Sequence, residues 1–398
     1  MQKIIQHIKG DRAIWAIVAL LALFSFLPVY SASSNLAYLY GKSTFGLLLK
    51  HAIHLVLGFV VLYSVHKIPY HYFKGLSLIG LPLVVLLLVF TLAKGTTIGG
   101  ANASRWIQVP FVGVSFQTST LASVVLMVYV ARYLAKIKDK VISFKESVLP
   151  LWLPVFVVLA LILPANFSTA AIIFSMVLVL TFLGGYPLKY LGIVLGSGLL
   201  VLTMFVLTAK AFPDSFPNRV ETWISRVENF ANGEDTEEDY QIERAKMAIA
   251  SGELTGLGPG KSEQKNFLPQ SSSDFIFAII VEELGLLFGA IPILFLYLLL
   301  LFRLIVVVNK SDSFFGKLVV AGVGLPIIFQ ALINMAVAVE LFPVTGQTLP
   351  LVSSGGTSIW MTCLAFGLIL SVSAKNKTKE EVKNKKEKNP LDVLSEVI

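Results

Sequence analysis

Cysteine is nearly missing from this chain of 398 residues, and the one present, Cys363, lies in an apolar run. No intramolecular disulfide can form, so any segment outside the membrane is held by packing and hydrogen bonds. A small core residue is the ordinary reading of that thiol. Charge is scarce as well. Asp, Glu, Lys and Arg supply 14% of the residues, too little for the surface of a soluble domain of this length, which excludes a hidden soluble catalytic domain. Short alternating strands are missing, which excludes a transmembrane barrel. Missing too are an inverted internal repeat of the kind that marks many transporters and a soluble outer domain carrying the serine nucleophile of a peptide cross-linking enzyme.

Hydrocarbon fills the chain instead: hydrophobic residues make up 56% of it, and mean hydropathy is +0.78. Apolar runs near 14–32, 44–64, 76–93, 115–135, 148–163, 168–184, 189–209, 275–308, 317–340 and 355–374 each approach the roughly 20 residues that cross a ~30 Å core. The expected fold is therefore all-α, a polytopic membrane protein with about ten transmembrane helices and one large extracytoplasmic loop at 211–273. The membrane domain covers 1–374, and a lysine-rich tail, 375–398, is expected to be solvated and disordered. The run 275–308 is too long for one perpendicular crossing, so it tilts, enters early as a partly submerged segment, or extends beyond the bilayer. Lys3, Lys9 and Arg12 ahead of the first run resemble a signal peptide, but the further runs favour an uncleaved span.

Short loops give the orientation. Lys67, Lys74, Arg132, Lys136, Lys138, Lys140, Lys145, Lys189, Arg303, Lys310 and Lys317 fall on the same side as the tail, whereas the opposite short loops carry Lys42, Lys94 and Arg105. Both termini are thus expected in the cytoplasm, and 211–273 outside. The net charge of +8 reflects this topology, not nucleic-acid binding.

The outward loop has structure of its own. Val220, Trp223, Ile224, Val227 and Phe230 recur at helical spacing, which suggests an amphipathic helix on the membrane surface or one packed on the loop. The acidic cluster Glu234, Asp235, Glu237, Glu238 and Asp239 lacks calcium-loop spacing and reads as a solvated connection. A second helix is expected over 240–250, followed by a turn with Gly252, Gly256, Gly258 and Gly260 around Pro259. That glycine run is no dinucleotide fingerprint, because no strand precedes it, but its exposed amides would suit a phosphate. The loop then runs into Asp274, set where water meets the apolar run Phe275-Ile276-Phe277-Ala278. A carboxylate at that edge is expensive, and function is its default reading.

Other polar groups lie on the same side. They are Ala103-Ser104-Arg105-Trp106 with Gln117, the segment Pro343-Val344-Thr345-Gly346-Gln347-Thr348-Leu349-Pro350, and Ser353-Ser354-Gly355-Gly356-Thr357-Ser358 opening the last span. The last offers either an anion site at a helix N-terminus or a cap with close helix packing. Lys50, His51 and His54 are spaced to share one helical face, a proton path or a helix interface. Glu282 and Glu283, about two turns beyond Asp274, suit support of its site or helix pairing.

Taken together, Arg105-Trp106-Ile107, Gln117, the helix of Gln241 leading to Gly256-Leu257-Gly258, Leu268-Pro269 before Asp274-Phe275-Ile276-Phe277-Ala278, Glu282-Glu283-Leu284-Gly285, Asn334-Met335, and Pro343-Val344-Thr345-Gly346 through Ser354-Gly355-Gly356-Thr357-Ser358 resemble the SEDS family of shape, elongation, division and sporulation proteins. They follow the family's order over essentially the whole chain. Thr348-Leu349-Pro350 resembles the division (FtsW-type) or sporulation branch more than the elongation branch. The resemblance implies a peptidoglycan glycosyltransferase that polymerises lipid II, an undecaprenyl-pyrophosphate-linked disaccharide pentapeptide, into glycan strands. It implies as partners a class B penicillin-binding transpeptidase and other division proteins, at the septal inner membrane. The family's essential aspartate falls on Asp274, as general base or as ligand of a divalent cation, Mg²⁺ or Mn²⁺. Substrate contacts fall on Arg105, Trp106, Gln117, Gln241, Thr345, Ser354, Gly355 and Gly356.

The chain departs from the family at three places. Gln117-Thr118-Ser119-Thr120-Leu121-Ala122-Ser123 lacks the usual Glu and Lys, Ala165-Asn166-Phe167-Ser168-Thr169 lacks the usual Asp, and Glu340 stands where a glycine is usual. The competing readings are a lipid II flippase, which would concentrate polar groups at midmembrane, and a non-catalytic scaffold, for which Asp274 would be dispensable.

Overall fold

The computed structural model describes residues 9–39, 41, 43–95, 106–108, 115–211, 237–268 and 270–387, without the side chains of 35–39, 209, 237–238 and 376–387. Arg105, Pro269 and the expected helix at 220–230 lie outside the described residues. Helices dominate, because a chain this apolar must satisfy its backbone within each segment. In order they are α1 (Arg12–Leu39), α2 (Thr44–Lys67), α3 (Phe73–Lys94), α4 (Thr118–Ile137), α5 (Phe144–Ile162), α6 (Phe167–Leu183), α7 (Leu188–Ala211), α8 (Glu237–Gly252), α9 (Ile276–Gly285), α10 (Ile291–Lys310), α11 (Phe314–Ala338) and α12 (Thr357–Glu387). With α9 and α10 counted as one run, nine of the described helices are long and apolar enough to cross a membrane, and α6 is a shorter apolar helix.

Boundaries shift where side chains cap. The fourth helix starts at Thr118, three residues later than hydropathy suggests, because Ser115–Gln117 pairs as a strand, β2, with β1 (Trp106–Gln108). Asn166 accepts the Thr169 N–H and opens α6, and Ser313 accepts the Gly316 N–H and opens α11. Asn166 thus keeps the capping oxygen that the family's aspartate would provide. At the lysine-rich end Asp11 caps α1 through Ala13 and Ile14 and also pairs with Arg303 of α10. Helix α12 continues through Glu387, so its helical backbone reaches into the lysine-rich tail that was expected to be disordered.

The core is a bundle in which α2 and α12 lie closest. A Cβ on Gly58 would sit 2.9 Å from Cys363 Sγ, and one on Gly367 2.7 Å from Val65 Cβ, so the two glycines set the approach. Cys363 is fully buried there, a core residue as expected. Helix α7, by contrast, is exposed along most of its length.

The overlong eighth run is two pieces. Helix α9 is ten residues long and ends at Gly285 (φ +71), after which a π turn leads into the spanning α10. The run is therefore broken at Gly285, and the short α9 precedes the spanning α10. Its residues Ile276–Val281, Glu282 and Glu283 are all buried, with α8 and the glycine turn laid over it. Leu257 N–H donates to Glu282 O, Gly258 N–H to Glu283 O, and Leu286 N–H to Glu253 O (2.9, 2.9 and 3.0 Å). These amides are spent on α9 and its exit, which corrects the reading of the glycine turn as a phosphate cradle.

Gly256 (φ +80) makes that contact possible, since a Cβ there would stand 2.3 Å from Glu283 O. Gly256→Ala is expected to cost about 2 kcal/mol or more, read as a lower thermal unfolding midpoint of the detergent-solubilised protein.

Candidate active site

Two irregular segments meet at the lysine-poor end of the bundle: the turn 270–275 before α9 and the segment 339–356 between α11 and α12. Ser354 N–H donates to Ser272 O at 2.9 Å. The Ser353 hydroxyl donates to Ser273 O at 2.6 Å and accepts the Leu349 N–H at 2.7 Å. From α11, the buried Asn334 donates Nδ2 to both Asp274 O (2.6 Å) and Gln347 O (2.7 Å). One amide thus ties the two segments together. Gln347 reaches on to Thr169 Oγ1 at the start of α6, and Gln330 holds Thr348 O.

Asp274 occupies this junction, half-buried, with its N–H on Gln270 O at 3.1 Å. Its carboxylate lies beside Gly346 (φ +65), where a Cβ would come within 3.5 Å of Oδ2. Three non-glycine residues of the surrounding turns are left-handed: Gln270 (φ 59), Glu340 (φ 61) and Leu351 (φ 66). Each costs roughly 1 kcal/mol or more, and the surroundings must hold it. Gln270 O accepts from Ser273, Asp274 and Phe275, and Leu351 is buried. Backbone strain therefore clusters around the carboxylate.

Glu340 shows why glycine is usual at its position, since the backbone there is left-handed. Its carboxylate meets Lys246 Nζ of α8 at 2.6 Å, and that hydrogen bond raises the lysine above its ordinary range. Both side chains are almost half exposed, so the pair contributes under about 1 kcal/mol and acts as a tether between α8 and the end of α11.

Most of the sequence candidates converge here. Trp106 pairs with Gln117 across the β1–β2 hairpin, and Gln117 N–H reaches Thr357 Oγ1, so the hairpin leans on the first turn of α12. Thr345 precedes Gly346, Ser354 is exposed, and Gly355 and Gly356 complete the turn into α12. Gln241 lies on α8 and its side chain makes no hydrogen bond among the described residues, so the structure does not join it to Asp274. Where the family's Glu is missing, the Thr120 hydroxyl donates to Gln117 O instead.

Glu282 and Glu283 support the loop and do not face Asp274. Glu282 accepts the Glu263 and Gln264 N–H groups and the Ser262 hydroxyl, and Glu283 accepts the Ser31 hydroxyl and the Ser262 N–H. Ser262 and Lys265 have Ser-x-x-Lys spacing, but Lys265 Nζ turns to Gly260 O and Ser31 Oγ. Of the three, His51 and His54 are buried in the bundle while Lys50 is exposed. Sequence reasoning gave no role to Asn334, Gln347, Ser272 and Ser353, whose contacts bridge segments far apart in the chain; a lone asparagine inside an apolar span was the available signal.

Among the described residues no three His, Cys, Asp or Glu side chains converge. Asp274 suits a hard cation that keeps waters and takes its other oxygens from substrate phosphates, as Mg²⁺ commonly does.

Residues 11–378 match the family of FtsW, RodA and SpoVE cell cycle proteins. The chain is 31% identical over 377 residues to a probable peptidoglycan glycosyltransferase FtsW of Geobacter sp. (strain M18), covering 93% of this chain and 98% of that one. It is 33% identical to the corresponding protein of Hydrogenovibrio crunogenus, covering 90% of each. Among solved structures, a peptidoglycan synthase complex that coordinates polymerization and crosslinking has a chain 25% identical with TM-score 0.70, covering 92% of this chain and 98% of that one. The rod shape determining protein RodA of Thermus thermophilus shares the fold, with TM-score 0.66 at 24% identity, covering 92% and 97%.

Proposed function

The chain belongs to the FtsW/RodA/SpoVE family and is a bacterial multi-pass membrane peptidoglycan glycosyltransferase; from that premise we propose that it polymerises lipid II and that Asp274 is its catalytic carboxylate. The observation that carries this reading is a charged, half-buried side chain at the membrane edge, positioned by Asn334 and bordered by the left-handed Gly346. Only a group held in place serves chemistry.

In the reaction, a sugar hydroxyl of one substrate attacks the anomeric carbon of another. The new carbon–oxygen bond forms as the bond to pyrophosphate breaks. The hydroxyl proton passes to Asp274, and the electron pair leaves on the pyrophosphate. Mg²⁺ or Mn²⁺, when bound, would neutralise that leaving charge. Asp274 is the residue to hold it, while Trp106, Gln117, Thr345, Ser354, Gly355 and Gly356 line the approach. Arg105 and Gln241 are kept as substrate contacts on resemblance alone. The lysine-poor end faces outward, both termini are cytoplasmic, and the protein acts at the division septum.

The purified chain reconstituted with labelled lipid II is expected to produce glycan polymer. Transport of lipid II without polymer would overturn the assignment. A class B penicillin-binding transpeptidase is the proposed partner, supported by the similarity to a chain of a synthase complex. Adding it, even in an acylation-dead form, is expected to raise polymer synthesis several-fold. Equal rates in a demonstrated complex would refute activation.

A further inference from the structure

The first turn of α12 leaves backbone donors unused. Ser354, Gly355, Ser358 and Ile359 N–H groups are bonded to Ser272, Ser353, Gly355 and Gly356 carbonyls. The N–H groups of Gly356 and Thr357 find no acceptor among the described residues, although Thr357 is fully buried. Its hydroxyl cannot cap them, being engaged with Gln117 N–H and Ser115 O. Unpaired donors at a helix N-terminus carry the positive end of the helix dipole.

A second group points to the same place. His54 of α2 is 5% exposed, and its Nδ1 donates to Lys50 O at 2.7 Å. Its ring stacks on Trp360 of α12 (centroids 5.6 Å apart), whose Nε1 donates to His54 O. The ring is thereby fixed, and Nε2 has no hydrogen-bond partner among the described residues. Nε2 is also the one atom within 4 Å that a Cβ on Gly356 (φ +52) would meet, at 3.9 Å. An imidazole nitrogen of a buried histidine and two amide donors therefore converge on one turn, and that turn joins Asp274's segment through Ser354 and Ser272.

We propose that His54 Nε2 and the Gly356 and Thr357 amides form the subsite that holds the pyrophosphate of the lipid-linked substrate. In this subsite His54 donates Nε2–H to a phosphate oxygen while Nδ1–H stays on Lys50 O. Gly356 is left-handed (φ +52), where L side chains are rare, and a Cβ there would stand 3.9 Å from that nitrogen, in the space the ligand would fill. Asp274, on the segment joined to this turn through Ser354 and Ser272, would face the sugar. This assignment rests on the glycosyltransferase reading and names where the leaving group sits.

The test uses the full chain in detergent and two probes, inorganic pyrophosphate and undecaprenyl pyrophosphate, measured by titration calorimetry and as inhibitors of polymerisation. His54→Phe keeps the ring on Trp360 and removes both nitrogens. It is expected to weaken pyrophosphate binding about 10-fold or more and to raise KM for lipid II more than it lowers kcat. Loss with both probes assigns the subsite to the pyrophosphate itself, and loss with the lipid-linked probe alone assigns it to the anchored substrate. Wild-type binding in folded His54→Phe overturns the proposal. Should His54→Phe unfold, Gly356→Ala is read in the same way, and wild-type pyrophosphate binding there overturns it. A wild-type chain that binds pyrophosphate through His54 yet makes no polymer would leave the subsite standing and remove the glycosyltransferase reading.

Discussion

Asp274→Asn is expected to lower glycan polymerisation by about 10²-fold or more, with folding and partner binding unchanged. The substitution is nearly isosteric. Two contacts that position the residue, N–H to Gln270 O and carbonyl to Asn334 Nδ2, belong to its backbone and survive. What disappears is the charge, and with it the capacity to take a hydroxyl proton or hold a cation. Chelation separates the two roles: if Asp274 holds Mg²⁺ or Mn²⁺, a chelator should depress the wild type to a similar degree, and restored cation should rescue wild type but not the variant. Wild-type rates in well-folded Asp274→Asn protein would reject this residue as the catalytic group.

Asn334→Leu should have the next largest effect. Its Nδ2 is the donor shared by the Asp274 and Gln347 carbonyls, and removing it leaves both without that partner in a dry part of the bundle. The expected loss of stability is about 2 kcal/mol or more. The effect on rate should be greater than stability alone explains, because displacement of a catalytic group by ~1 Å can cost about 10²-fold. Polymerisation is expected to fall by roughly 10- to 100-fold in protein that still elutes as a monodisperse species. Asn334→Gln, which keeps a carboxamide, should recover part of it. Unchanged kcat in Asn334→Leu would mean that the segment 343–353 positions Asp274 without this amide.

The helical membrane architecture was legible because hydrocarbon imposes one rule on every apolar run, and a run of the right length has few alternatives to a helix. Asp274 was legible for the same reason, since a carboxylate at the edge of such a run stands against the local trend. Hydropathy failed where a local backbone feature overrides it. Gly285 ends α9 inside a continuous apolar run, and Ser115–Gln117 joins a hairpin where the run already reads as helix. The glycine turn was misread for a related reason: glycine permits close approach, but its spacing does not say to what. Here the neighbour is α9, not a phosphate.

The chain by itself therefore determined which segments cross the bilayer, which end is rich in lysine, and where one carboxylate meets the membrane edge, because each follows from local composition and the solvent around it. Tertiary structure alone decided that Asn334 holds Asp274's turn against Gln347, that Glu282 and Glu283 serve the loop over α9, and that His54 faces Gly356 across the α2–α12 contact. These contacts join residues 13, 19, 21, 60 or about 300 positions apart, and such a contact exists only once packing has fixed both partners to within a few tenths of an ångström.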